Sequence, residues 1–247
     1  MASTYKLHLL DVEGTVAPIS LVTEQLFPYA EAHLGEFLRD NIDDRAVRED
    51  LMLLARENQA ETDPFLPCRL PNVPWHGLVA EVRFQIDAYA YLLWLMDHDR
   101  KSTALKSLQG KIWKAGFESG ELKGTLFEDV PAAFARWSAQ GKVAIYSSGS
   151  VEAQQLLFRY SNYGDLTSHI SGYFDTRTGA KAAAASYAAI AQAMQVEPAD
   201  AIFFSDVVRE LDAAREAGFA TGLVVRPGNA PVEDGHGHSV LESLNTI

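Results

Sequence analysis

Asp11 and Glu13 stand one residue apart, directly after the run Tyr5-Lys6-Leu7-His8-Leu9-Leu10 and directly before Gly14-Thr15. The run has the length and apolarity of a buried strand. In open α/β sheets, ligands sit beyond the carboxyl ends of the strands. Two carboxylates projecting from such an end can divide the work. One attacks or binds a metal, and the other moves protons. Gly14 allows a sharp turn, and the Thr15 hydroxyl can hold a loop or an anion. Short acidic pairs also occur in ordinary surface loops, so the assignment depends on what other strands present.

Two further apolar runs end in polar residues. KVAIY (Lys142 to Tyr146) is followed by Ser147-Ser148-Gly149-Ser150, and AIFF (Ala201 to Phe204) by Ser205-Asp206. Strands of one parallel sheet have their carboxyl ends on one edge, so these residues can converge with Asp11 and Glu13. Ser147 and Ser148 precede a predicted helix, where they either cap it or help to seat a phosphate at its N-terminus. Lys181, in Thr178-Gly179-Ala180-Lys181, precedes another helix. It is either a solvated side chain or a cation that neutralises both a phosphate and a carboxylate. Asp206 is a helix N-cap, a metal ligand, or both. Oxygen donors from Asp11, Glu13 and Asp206, with no histidine or cysteine among them, suit a hard ion. Magnesium fits best, because it takes one or two carboxylates together with waters and substrate phosphate.

These residues need a scaffold, and the periodicity describes one. Residues 17–124 read as helices without a clear strand: Ile19 to Asn41 with Pro28 as a kink or boundary, Asp43 to Thr62, Trp75 to Asp97, and a helix capped by Ser102. Asp63 to Pro74 reads as an irregular, proline-rich connection. From Gly124 the rhythm becomes βα. Helices over Asp129 to Gln140, Val151 to Tyr160, Ala182 to Met194 and Val208 to Ala217 alternate with strands Lys142 to Tyr146, Ala201 to Phe204 and Thr221 to Val225. That alternation predicts an α/β fold with a parallel sheet covered by helices on both faces. The tail after Arg226 reads as turns, with a short helix near Val240 to Leu244. The pair His236-Gly237-His238 reads as surface, and Arg209 and Asp212 as exposed or helix-pairing charges.

Composition narrows the functional classes. The 247 residues are 47% hydrophobic and 10% aromatic, as in an ordinary globular protein. No stretch reaches the roughly 18 apolar residues of a membrane span, and no secretory signal is apparent. The net charge of −12 argues against binding nucleic acid or anionic membranes. The single cysteine, Cys68, is compatible with a reducing compartment. A cytoplasmic monomer acting on a small molecule is the expectation.

Taken together, Asp11-Val-Glu-Gly-Thr15, Ser147-Ser148-Gly-Ser150, Lys181 and Ser205-Asp206 resemble the four ordered motifs of the haloacid dehalogenase (HAD) superfamily. Glu13, where most phosphatases of the superfamily have aspartate, and the run SSGSVEAQ narrow the resemblance to the enolase-phosphatases of methionine salvage, also called acireductone synthases. The segments DVEGTVAPISLVTEQLFPYA, ALKSLQGKIWKAGFESGEL, YFDTRTGAK and FFSDVVRELDAAREAG extend it over nearly the whole chain. The resemblance implies a Rossmann-like HAD core, 1–16 and 125–247, with an inserted helical cap, 17–124. It implies enolisation and dephosphorylation of 2,3-diketo-5-methylthiopentyl-1-phosphate to an acireductone and phosphate.

By that resemblance, Asp11 is the nucleophile that forms a phospho-aspartate. Glu13 is the general acid and then base. Ser147, Ser148 and Lys181 hold the phosphoryl oxygens. One magnesium ion per chain is held by Asp11, Asp206 and Glu13, the last through its backbone carbonyl. Lys111, Trp113 and Glu118 are candidates to line the substrate end of the cap, with core packing the better reading for Trp113. Alternatives are a HAD phosphatase for another small phosphate ester, a non-catalytic HAD-like binding protein, and a dehalogenase, which Asp206 and Glu13 weaken.

Overall fold

The computed structural model describes residues 5–71, 78–233 and 235–246. Residues 72–77, where the proline-rich connection was to end and the Trp75 helix to begin, lie outside the described residues. The chain divides into two compact units: Met1–Glu24 with Gly120–Ile247, and Gln25–Ser119. The first boundary lies within a π-helical turn, Leu21–Leu26, beyond the 16/17 division read from sequence.

The first unit is built on a six-stranded sheet. Its strands are β1 (Leu7–Leu10), β2 (Lys142–Tyr146), β3 (Gly172–Phe174), β4 (Ala201–Ser205), β5 (Ala220–Val224) and β6 (Ser239–Leu241). Every pairing is parallel, in the order β3-β2-β1-β4-β5-β6. β1 lies between β2 and β4, so it is buried on both faces, with His8 its one polar residue. The strand order reverses beside β1, and that switch point opens a crevice at the carboxyl edge. Leu10 pairs with Ile145 and with Phe204, which puts Asp11, the first residue past β1, level with Tyr146 and Ser205, the last residues of β2 and β4.

Helices α5 (Val130–Ser138), α6 (Val151–Arg159), α7 (Ala184–Ala193) and α8 (Val208–Glu216) cover the sheet. Leu7, Leu9, Tyr146 and Phe203 pack on one face with Tyr187, Ile190 and Leu211. Residues of opposite parity point the other way, as the strand pleat requires. There His8 stacks on Trp137 at 4.6 Å, and Trp137 on Phe204 at 5.4 Å.

The second unit contains α1 (Phe27–Asn41), α2 (Arg45–Ala60), α3 (Leu78–Asp97) and α4 (Thr103–Ser119). Pro28 sits in the first turn of α1, where its missing N–H costs nothing. Asp44 caps α2 and Ser102 caps α4, each accepting a backbone N–H. Leu34, Leu38, Leu51, Leu54, Leu92 and Leu108 form part of its separate core.

Two short strands depart from the sequence reading. β3 was not expected, and the helix predicted near Val240 to Leu244 is instead β6 followed by a 3-10 turn at Leu244–Thr246. Three-residue strands carry too little periodicity to be read locally, and their pairing with β2 and β5 defines them. β6 also corrects the reading of His238 as surface. That residue is 8% exposed, and its imidazole is within reach of Thr221 Oγ1 at 2.7 Å and Asp212 Oδ1 at 3.2 Å. Asp212 pairs with Arg215 one turn along α8.

Candidate active site

The carboxyl edge gathers the strand-end residues picked from the sequence. Asp11 is 4% exposed, and its backbone N–H donates to Phe204 O at 2.9 Å. Its Oδ1 accepts from Val12 N at 2.7 Å and pairs with Lys181 Nζ at 2.6 Å. Ser205 Oγ lies 3.4 Å from Asp11 Oδ2 and 3.1 Å from Glu210 Oε2. Ser147 Oγ donates to Glu13 Oε2 at 3.2 Å, joining the ends of β1 and β2.

The capping readings of Ser147, Ser148 and Asp206 do not hold. Ser150, not Ser147 or Ser148, caps α6 by accepting from Ala153 N. Ser147 is buried and Ser148 exposed beside it. Asp206 does not cap α8; Ser205 Oγ takes the Val207 N–H instead. The Asp206 carboxylate packs directly over Gly14, where a Cβ would come within 2.6 Å of Asp206 Cγ. Gly14 has φ +75°, a conformation that L side chains rarely adopt.

Lys181 is not a solvated lysine. Its side chain is 12% exposed, and Nζ also pairs with Glu210 Oε2 at 2.7 Å. Burial opposes its charge, but Asp11 and Glu210 outweigh that and raise its pKa. Three hydroxyls pin the loop that carries it: Tyr146 donates to Gly179 O, Ser186 to Ala180 O, and Tyr187 to Lys181 O. Glu210 was missed in the sequence reading. Its signal was the spacing Asp206-x-x-x-Glu210, which brings both carboxylates to one end of α8.

Four carboxylates therefore surround one ammonium. Burial, then Asp11, pushes the Glu13 carboxyl above its ordinary range, and the same causes push Asp206 up to about 6. Such uncompensated negative charge suits a divalent cation. Among the described residues no three His, Cys, Asp or Glu side chains form a metal cage. Magnesium does not need one, since it is held by one or two carboxylates with water and substrate oxygens. Lys111, in contrast, is occupied within the second unit by Asp50 and Ser107, and Trp113 donates to Leu26 O.

A phosphoryl-transfer constellation on a Rossmann-like sheet is the class defined by these features. A model of the haloacid dehalogenase-like hydrolases matches residues 5–218, and the chain belongs to that family. It is 54% identical over 228 residues to the enolase-phosphatase E1 of Synechococcus elongatus, covering 92% of this chain and 91% of that one. It is 42% identical to a probable bifunctional methylthioribulose-1-phosphate dehydratase/enolase-phosphatase E1 of Zea mays, of which it spans 48%. The crystal structure of the UTR4 protein from Saccharomyces cerevisiae superposes with a TM-score of 0.77 at 37% identity, covering 98% of this chain and 100% of that one. Within the family, the chain groups with the enolase-phosphatases. Among the described residues no helix is long and apolar enough to cross a membrane.

Proposed function

We propose that this chain enolises 2,3-diketo-5-methylthiopentyl-1-phosphate and then removes its phosphate, releasing an acireductone in methionine salvage. The observation that carries the reading is the Lys181–Asp11 pair at the sheet's switch point, with Glu13 and Asp206 beside it. In this reading the first unit is the catalytic core and the second is the cap domain that reads the substrate's thioether end.

Asp11 attacks phosphorus while Glu13, whose pKa burial and then Asp11 raise, gives its proton to the departing oxygen. The ester P–O bond breaks as the Asp11–phosphorus bond forms. Glu13, now ionised, takes a proton from water, which displaces phosphate and restores Asp11. Lys181, Ser147 and the exposed Ser148 hold the phosphoryl oxygens and offset their charge. Asp11, Asp206 and the Glu13 backbone carbonyl would hold one magnesium ion, which when bound neutralises charge on the phosphate and the carboxylates. The reaction needs no nucleic acid or membrane, and the enzyme is read as a cytoplasmic monomer.

The test is phosphate release from the diketo phosphate ester with magnesium or EDTA, with acireductone absorbance followed under anaerobic conditions. Both products should appear together, and both should vanish with EDTA or in Asp11→Asn. Phosphate from generic esters without acireductone would leave a phosphatase for another ester. No turnover by folded protein would leave a binding protein.

A further inference from the structure

The loop that follows Asp11 is held from outside by Phe127 and by the chain beyond β5. Three consecutive carbonyls are fixed: Gly14 O by Asn229 Nδ2 at 2.9 Å, Thr15 O by Arg226 Nε at 3.1 Å, and Val16 O by Phe127 N at 3.0 Å. Arg226 is itself locked. Its guanidinium grips Asp129 through two bonds of 2.9 Å and lies over the Phe127 ring, 4.4 Å from the centroid. Asp129 also accepts from Ser243 Oγ and Leu244 N, which ties in the C-terminal segment. Arg226 is 8% exposed and Asp129 3%, so this is a buried, bidentate pair.

Asn229 is the sharper case. Its Nδ2 faces two carbonyls, Gly14 O and Val224 O, so the amide must present nitrogen there. The same orientation leaves Oδ1 buried with no partner. An unpaired buried oxygen costs stability, so the side chain is held by what its nitrogen does. What it does is fix the Gly14 carbonyl. That in turn fixes the peptide that follows Gly14, a residue already held at positive φ, and with it the cradle against which the Asp206 carboxylate rests. Arg226 and Asn229 both lie past residue 218, where the match to the general family model ends.

We propose that Arg226 and Asn229 are positioning residues for phosphoryl transfer: they hold the Gly14 and Thr15 carbonyls so that Asp11 and Asp206 face one point. The proposal rests on the function given above. Neither side chain touches the phosphate; both act through the loop backbone.

The experiment compares the wild type with Asn229→Ala and Arg226→Lys. The readouts are kcat and KM on the diketo phosphate ester and on p-nitrophenyl phosphate, Mg2+ affinity by calorimetry, Tm, and amide exchange across residues 12–17. Asn229→Ala should lower kcat by about tenfold to a hundredfold with KM within about twofold, because misplaced reacting groups cost chemistry more than binding. It should weaken Mg2+ binding and speed exchange in the loop while Tm stays close to wild type. Arg226→Lys should act in the same direction and also lower Tm, because lysine cannot reproduce the fork on Asp129. Wild-type kcat and exchange in Asn229→Ala would overturn the proposal, as would a fall in kcat only in step with the unfolded fraction. If the wild type fails on the diketo ester, the functional reading fails by itself. Loop exchange, Mg2+ affinity and p-nitrophenyl phosphate turnover still decide the clamp.

Discussion

Lys181 Nζ lies 2.6 Å from Asp11 Oδ1 and spans to Glu210 Oε2 at 2.7 Å, so Asp11 is tied to α8 through a lysine. Lys181→Met removes the ammonium that pairs with Asp11 and Glu210. It should lower kcat by about a hundredfold to a thousandfold, the scale of losing one donor to developing charge. Glu210→Gln keeps the lysine but loosens its second anchor, and a smaller loss, about tenfold, should follow. Steady-state phosphate release measures both. Equal, small effects would remove Lys181 from the chemistry.

Gly14→Ala should be disproportionately harmful. A Cβ there meets the Asp206 carboxylate, and the backbone sits at φ +75°. The strain alone is about 1–2 kcal/mol, and relieving it displaces Asp206. Magnesium affinity by calorimetry and phosphate release should both drop. Gly110→Ala is the control, since a Cβ there has open space within α4. It should leave activity unchanged, and an equal loss in both variants would contradict the cradle.

Tyr187→Phe removes one hydroxyl from a residue that is fully buried. The Lys181 carbonyl then loses a 2.7 Å bond and stays buried, at a cost of about 1–3 kcal/mol by chemical denaturation. Activity should fall with kcat rather than KM, because the hydroxyl orients the lysine loop and touches no substrate. A change in stability with unchanged kcat would make the hydroxyl purely structural.

His8 predicts a pH dependence of stability away from the site. Burial, then the nearby Arg136 charge, lowers its pKa from 6.5 to about 4. Between those values the unfolded chain binds a proton that the folded protein refuses. Stability therefore declines as pH falls from 6.5 to about 4 and gains no further penalty from His8 below that. The contribution is at most about 3 kcal/mol. Urea denaturation of wild type and His8→Phe across this window should show a shallower decline in the variant. Parallel curves would exclude His8 as the source.

The sequence by itself determined the strand-end chemistry. Apolar runs closed by Asp11, by Ser147 and by Asp206 are local patterns, and a parallel sheet brings their ends to one edge whatever the remaining details. Helices α1, α2 and α4 and the Ser102 cap were legible for the same reason, since periodicity and capping act within a few residues. Only the tertiary structure decided which polar groups meet. Glu210 gains its meaning from Lys181, which lies on another loop. β3 and β6 exist through pairing with β2 and β5. His238 is buried because β6 draws it against Thr221. Arg226 and Asn229 reach Gly14 and Thr15 from the far end of the chain. Contacts between residues distant in sequence depend on strand order and register, and no local pattern of side chains encodes those.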